Sequence, residues 1–206
     1  MPRRILSVAL IFGLAGIAFS ADNKVERPKA DPASTPLELT ITGKTTKYTL
    51  DTGGLSAADY KKKIEAAAND GPIRTPAVDL TIELKNTSDK TVTVWTSGDP
   101  VVLTLELNGK GAVNLTPPLA FTTNFAAPKG IAIEAGKSHT IPLKALVSGF
   151  RGGSKFSTWT QAGDYELVAT LKTGMTPAPK GAKDFDGFGV VTVTSPAFKL
   201  TVEEKK

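Results

Sequence analysis

Val78-Asp-Leu-Thr-Ile-Glu-Leu-Lys-Asn-Thr-Ser-Asp-Lys-Thr-Val-Thr-Val94 is the stretch on which the fold turns. Val78, Leu80, Ile82 and Leu84 alternate with Asp79, Thr81, Glu83 and Lys85, so an extended backbone places every apolar side chain on one face. Asn86-Thr-Ser-Asp89 then supplies turn chemistry, and Val92 and Val94 open a second strand in the opposite direction. Strands with one wet and one dry face belong to antiparallel sheets, and two such sheets stacked dry face to dry face form a sandwich.

The same period of two extends outward from this hairpin. Leu37, Leu39 and Ile41 obey it, as do Leu103, Leu105 and Leu107, then Tyr165, Leu167, Ala169 and Leu171, and finally Phe198, Leu200 and Val202. Shorter strands are predicted near 46–50, 91–96, 112–115, 131–134, 138–143 and 189–194. Turns are predicted at Thr42-Gly-Lys-Thr45, Asn108-Gly-Lys-Gly111, Ala135-Gly136 and Ala162-Gly-Asp164. One segment has a different period. Ser56 with Asp59 three residues on forms a cap, Tyr60, Ile64, Ala67 and Ala68 share one helical stripe, and Gly71-Pro72 ends the run. These predict a helix over 57–69 that covers an open edge or end of the sandwich, with Lys61, Lys62, Lys63 and Glu65 in solvent.

Three segments carry a resemblance. The run Leu84 to Val94 is similar to the first hairpin of immunoglobulin-like domains in exported bacterial proteins, including the intracellular proteinase inhibitor type found in bacilli. Glu134-Ala-Gly-Lys-Ser-His-Thr-Ile-Pro-Leu143 and Ala162-Gly-Asp-Tyr-Glu-Leu-Val-Ala-Thr-Leu171 resemble the Pro-Gly-Glu and Pro-Gly-x-Tyr strand openings of the same type. The likeness spans about Val78 to Leu171, and the whole chain resembles an uncharacterised exported bacterial family. It implies an antiparallel immunoglobulin-like β-sandwich, an architecture that hosts many unrelated activities.

The N-terminus reads as a secretory signal over residues 1–20. Arg3 and Arg4 are followed by the apolar stretch Ile5 to Phe19, and Ala18 and Ser20 provide the small residues of a cleavage site. The stretch is shorter than the roughly 20 apolar residues of a bilayer span, so no membrane span is expected after cleavage. Residues 21–35 are polar and proline-spaced, the composition of a flexible leader. Residues 36–206 then form a single domain, expected in the periplasm or outside the cell.

Loss of Arg3 and Arg4 lowers the formal net charge from +5 to +3. The lysines are scattered among acids and threonines without interleaved aromatics, which argues against a nucleic-acid partner. There is no cysteine. An exported domain without disulfides must be held by its core alone, and about 170 residues can bury enough apolar surface for that. The same absence removes acylation of a cysteine after the signal.

The sequence offers little chemistry. His139 is the sole histidine, shares parity with Ile141 and Leu143, and therefore points toward the dry side near a strand start. Without other soft ligands it cannot anchor zinc or copper, and a lone base lacks the nucleophile and orienting acid of a triad. No Gly-x-Ser-x-Gly, Ser-x-x-Lys or phosphate-cradling glycine loop is present. Asp184 and Asp186 in Asp184-Phe-Asp-Gly187 are the weak candidates for a metal, but the further oxygens and distal Glu of a calcium loop are missing, and the segment reads as a turn. Asn86-Thr-Ser88 and Asn114-Leu-Thr116 fit the glycosylation pattern, which bacterial export reduces to turn and strand-end polarity. No enzyme activity and no cofactor are expected.

The candidate binding residues are Phe150, Arg151, Phe156 and Trp159, in a connection containing glycine. Aromatics and arginine are enriched where proteins bind, although large aromatics equally serve to plug a sandwich end. Trp95 is expected in the core. A long loop from Thr173 to Phe188, rich in proline and glycine, is the second irregular feature. The expected function is a non-catalytic binding or structural module that recognises a protein or a cell-envelope polymer through its loops. The alternatives are a protease inhibitor presenting 173–188 and a carbohydrate-binding module.

Overall fold

A computed structural model describes residues 35–70, 73–118, 129–150, 153–185 and 187–205. The signal-like residues 1–20 and nearly all of the leader lie outside that set. In chain order the elements are β1 (Leu37–Gly43), β2 (Lys47–Leu50), α1 (Ala57–Asp70), β3 (Ala77–Asn86), β4 (Val92–Ser97), β5 (Val102–Asn108), β6 (Ala112–Leu115) and β7 (Lys129–Ile133). They continue with β8 (Ser138–Ala145), β9 (Val147–Phe150), β10 (Gly153–Trp159), β11 (Gly163–Thr176), β12 (Lys183–Phe185), β13 (Phe188–Thr194) and β14 (Phe198–Glu204). The fold is mainly β, a two-sheet β-sandwich, antiparallel except where β2 joins β14, with one short helix.

The smaller sheet is antiparallel in the order β1-β3-β8, with Ile41 opposite Ile82 and Ile82 opposite Ile141. Pro142 lies in β8, an edge strand, where a missing N–H disturbs the ladder least. The larger sheet is built around β11. One edge of β11 holds β14 along Gly163 to Leu167 and then β13 along Thr170 to Met175. Ser195 closes the gap between them: its N–H donates to Ala169 O at 2.8 Å and its Oγ accepts from Ala169 N–H at 3.0 Å. The other edge holds β5 along Glu166 to Lys172 and β4 at Met175 and Thr176. From β5 the sheet runs on through β9 and β10 to β6, β7 extends it beyond β4, and β2 joins β14 in parallel.

Both dry faces meet in one core. Leu39, Leu80, Ile82 and Leu84 from the small sheet join Leu105, Leu107, Leu167 and Val202 from the large one. Every second residue of β3 from Val78 to Asn86 is buried, as the alternation predicts. Tyr165 fixes the start of β11 by donating its phenol O–H to Gln161 O at 2.7 Å, four residues upstream. This is a tyrosine corner, a device of immunoglobulin-type sandwiches in which a strand-opening Tyr clamps the preceding bend.

The helix begins where its cap predicts. Ser56 Oγ accepts from Asp59 N–H at 3.2 Å and donates to Asp59 Oδ2 at 2.7 Å. Ile64 is buried, Tyr60 packs on the core, and α1 lies against β6, the terminal strand of its path in the large sheet.

Three expectations are corrected. Within 150–159, Phe150 ends β9 and residues 153–159 form β10, which pairs with β9 instead of forming a connection. The tightness of this pairing depends on Gly149, where an added Cβ would stand 2.1 Å from Gly153 O. Strand enters 173–188 from both sides: Thr173 and Met175 continue the inward alternation of β11, and Lys183–Phe185 form β12, which pairs with β13. Trp95 is half-buried rather than core, because Val92 and Val94 take the dry face and the residue after Val94 must point the other way.

Candidate functional site

A groove of about 690 Å³ crosses the outer, solvent-facing side of the large sheet at the start of β11. Asp164, Tyr165 and Glu166 of β11 form its floor, Asn108 and Gly109 one wall, Lys199, Leu200 and Thr201 of β14 the other, and Thr46 its rim. The strand register explains the grouping. Asn108 is directly opposite Glu166, and Glu166 is directly opposite Lys199, so an amide, a carboxylate and an ammonium line up across three strands. Residues opposed in antiparallel strands share a face and stand roughly 5 Å apart. A second row lies beside the first, in which Asp164 faces Thr201 and Thr201 faces Lys47.

The turn between β5 and β6 closes down on this floor only because of its glycines. A Cβ on Gly109, which has φ of 148°, would meet Tyr165 Cδ1 at 2.5 Å and Asp164 O at 2.9 Å. A Cβ on Gly111 would meet the Tyr165 hydroxyl at 2.4 Å. The Tyr165 phenol is thus locked beneath the groove, and burial pushes its pKa above the ordinary value against the backbone hydrogen bonds at Gln161 and Gly111.

The two rows differ electrostatically. In the second, Thr201 Oγ1 donates to Asp164 Oδ1 at 2.8 Å, and Lys47 pairs with Glu203 at 3.6 Å. In the first, the side chains of Asn108, Glu166 and Lys199 have no hydrogen bond or ion pair among the described residues. The groove therefore presents a free donor–acceptor amide, a free anion and a free cation on a rigid sheet.

The residues singled out from the sequence are not brought together as an exposed patch. Trp159 is 2 % exposed and packs between Tyr48 and Tyr165, with ring centroids at 5.4 and 6.2 Å. Its ring belongs to the core, since its strand ends where the dry face closes. Phe156 is half-buried in β10 opposite Leu115. Phe150 ends β9 opposite Gly153, and Arg151 lies outside the described residues.

Asp184 pairs through its backbone with Gly189 and Phe185 with Phe188, and Gly187 has φ of 83°; Asp186 lies outside the described residues. Among the described residues no cluster of three or more His, Cys, Asp or Glu is placed to hold a metal ion. His139 lies in the small sheet opposite Leu84, away from the groove. Among the described residues no helix is long and apolar enough to cross a membrane. What remains of the 173–188 loop is the exposed stretch around Pro179-Lys-Gly-Ala182, closed by Ala182 N–H donating to Pro179 O at 3.1 Å, with Gly181 at φ of 82°. A closed turn does not offer the Lys180–Gly181 bond as the extended strand that a protease cleft takes.

The groove residues were invisible to the sequence reading because each is an ordinary wet-face position in its own strand. Only the register of β5 and β14 on β11 makes them neighbours.

The chain matches no protein-family model and no curated protein sequence. It has weak structural likenesses. The cupredoxin domain of amoB from Nitrosocaldus yellowstonii is 15 % identical, with 81 % of this chain and 86 % of that chain covered and a TM-score of 0.26. PapD-like domain 7 of human CEP192 is 11 % identical, covering 98 % and 99 %, with a TM-score of 0.23. The CooA pilin subunit of enterotoxigenic Escherichia coli is 12 % identical, covering 81 % and 99 %, with a TM-score of 0.16. At these scores the chain takes no residue role, metal or partner from any of them.

Proposed function

We propose that the protein is an exported, non-catalytic binding module and that its ligand, a polymer of the cell envelope, lies in the groove across β5, β11 and β14. The observation that carries this reading is the row Asn108, Glu166 and Lys199, three polar side chains in register and without partners among the described residues, in a groove of about 690 Å³. That volume falls within the range of about 300–1,000 Å³ common to ligand clefts. Recognition needs groups held by a rigid scaffold, and a hydrogen-bonded sheet supplies one at no further cost in order. The signal-like N-terminus supports an envelope location, and the lack of a nucleophile–base–acid set in the sequence supports binding without turnover. This moves the site from the loops to a sheet face.

Co-sedimentation of the mature protein with isolated cell-wall sacculi tests the reading. The wild type is expected to sediment, and the triple variant Asn108→Ala, Glu166→Ala, Lys199→Ala to stay in solution while keeping its circular dichroism spectrum. Equal sedimentation of both, or none of the wild type, would overturn it.

A further inference from the structure

We infer that the portion of ligand held in the groove is a zwitterion, an ammonium and a carboxylate on one short frame such as a dipeptide or an amino acid linked to a polymer through its side chain, and not a neutral sugar unit. This rests on the groove being the binding site and specifies its substrate class. Glu166 and Lys199 stand directly opposite one another across β11 and β14, the geometry in which opposite charges pair. Among the described residues they form no ion pair, whereas on the same sheet Lys47 holds Glu203 and on the small sheet Lys144 and Lys44 hold Asp79. An exposed pair of this kind gains only about 0.2–1 kcal/mol when it closes, so a ligand bearing both charges displaces little by entering between them.

The chemistry of the row selects the ligand. Lys199 offers three N–H donors and no acceptor, which fits a carboxylate; Glu166 offers only acceptors, which fits an ammonium. Asn108, on the far side of Glu166, carries an amide oxygen that can accept a further N–H from the ammonium held at Glu166. A neutral sugar would leave both charges without a counter-charge. A simple anion would be held at Lys199 but repelled by Glu166 and by Asp164 beside it.

The test uses the mature protein and four probes: the dipeptide Ala-Ala, its N-acetyl form, its C-terminal amide, and an oligomer of N-acetylglucosamine, each titrated by amide chemical shifts. The expected result is millimolar binding of Ala-Ala with shifts centred on residues 108, 166 and 199, and at least tenfold weaker binding of both blocked forms. Glu166→Gln should abolish the discrimination against the N-acetyl form, and Lys199→Met that against the amide. These variants are at exposed positions and report a preference, which a merely folded protein would not change. Equal binding of blocked and free dipeptides, or binding of the sugar oligomer alone, would overturn the zwitterion assignment and leave the groove as the site. Shifts confined to residues away from the groove would overturn the groove as well.

Discussion

Asn86 donates its side-chain amide to the backbone carbonyl of Ile133 at 2.9 Å and so ties the small sheet to the large one, since Asn86 ends β3 and Ile133 ends β7. The residue is fully buried and occupies the core-side parity of β3, where an apolar residue belongs. Its polarity is tolerated because every site is used. Nδ2 also donates to Lys90 O at 2.7 Å and Glu134 O at 3.2 Å, while Oδ1 accepts from the backbone N–H and hydroxyl of Ser88. One side chain thus holds the β3–β4 turn, the end of β7 and the approach to β8.

Asn86→Ala should accordingly cost far more than a turn substitution. It strands three carbonyls and one N–H in or near the core, and about 3 kcal/mol of stability is expected to go with them. Asn86→Asp should be no better, because it points a carboxylate at the three carbonyls. Urea midpoints at unchanged m-value measure both, and a loss of only a few tenths of a kcal/mol for Asn86→Ala would show the tie to be dispensable.

Gly174 and Phe188 make the second prediction. Phe188 lies across β11 on the outer face, reaching Trp95 with ring centroids 4.4 Å apart, and a Cβ at 174 would stand 2.3 Å from its Cδ2. Gly174→Ala must therefore push the ring off its seat, at an expected cost of about 1–3 kcal/mol. The same substitution in a Phe188→Ala background should cost much less, as the clash is then gone. Equal costs in the two backgrounds, read from a double-mutant cycle, would remove the aromatic seat as the reason for this glycine.

These two cases mark where the sequence stops being legible. The alternation of β3, the capped helix after Ser56 and the short strand at 112–115 are local patterns, and the structure places them where the residues put them. Asn86 reads locally as turn chemistry, and its span to Ile133 depends on two sheets meeting. Thr173-Gly-Met-Thr-Pro reads as a loop because glycine and proline punctuate it, and only the ring of Phe188, reaching it from another strand, reveals a strand glycine. The groove belongs to the same class: Asn108, Glu166 and Lys199 become one site through register alone.

Asp79 gives a prediction at low pH. Hydrogen bonds and charge from Lys144 and Lys44 hold its pKa below the ordinary 3.8. A carboxyl with a depressed folded pKa stabilises the protein above its unfolded value, and that contribution is lost as pH falls through the folded value. Asp79→Asn should therefore flatten the fall of thermal midpoint below pH 4 while leaving the Asp51–Lys205 contribution in place. Because the pair is exposed, 1 M salt should erase most of the difference between variant and wild type. An unchanged acid slope in Asp79→Asn would show that these lysines leave the carboxyl alone.

Tyr165 provides the opposite sign at high pH. Burial raises its pKa above the ordinary 10.0, because the phenolate would lose water, and this outweighs the backbone hydrogen bonds at Gln161 and Gly111. The folded state then holds its proton more tightly than the unfolded chain, so the contribution is intact below 10.0 and is lost as pH rises through the higher folded value. Tyr165→Phe should cost about 1 kcal/mol at neutral pH, the usual net worth of one hydrogen bond, and should remove part of the alkaline decline. The ring itself must stay, since it fills the space that Gly109 and Gly111 leave open, and Tyr165→Ala should open a cavity costing about 3–5 kcal/mol. Ultraviolet titration of tyrosinate alongside thermal midpoints from pH 7 to 12 separates the two effects. If Tyr165→Phe melts in parallel with the wild type across that range, the corner tyrosine contributes through its ring alone.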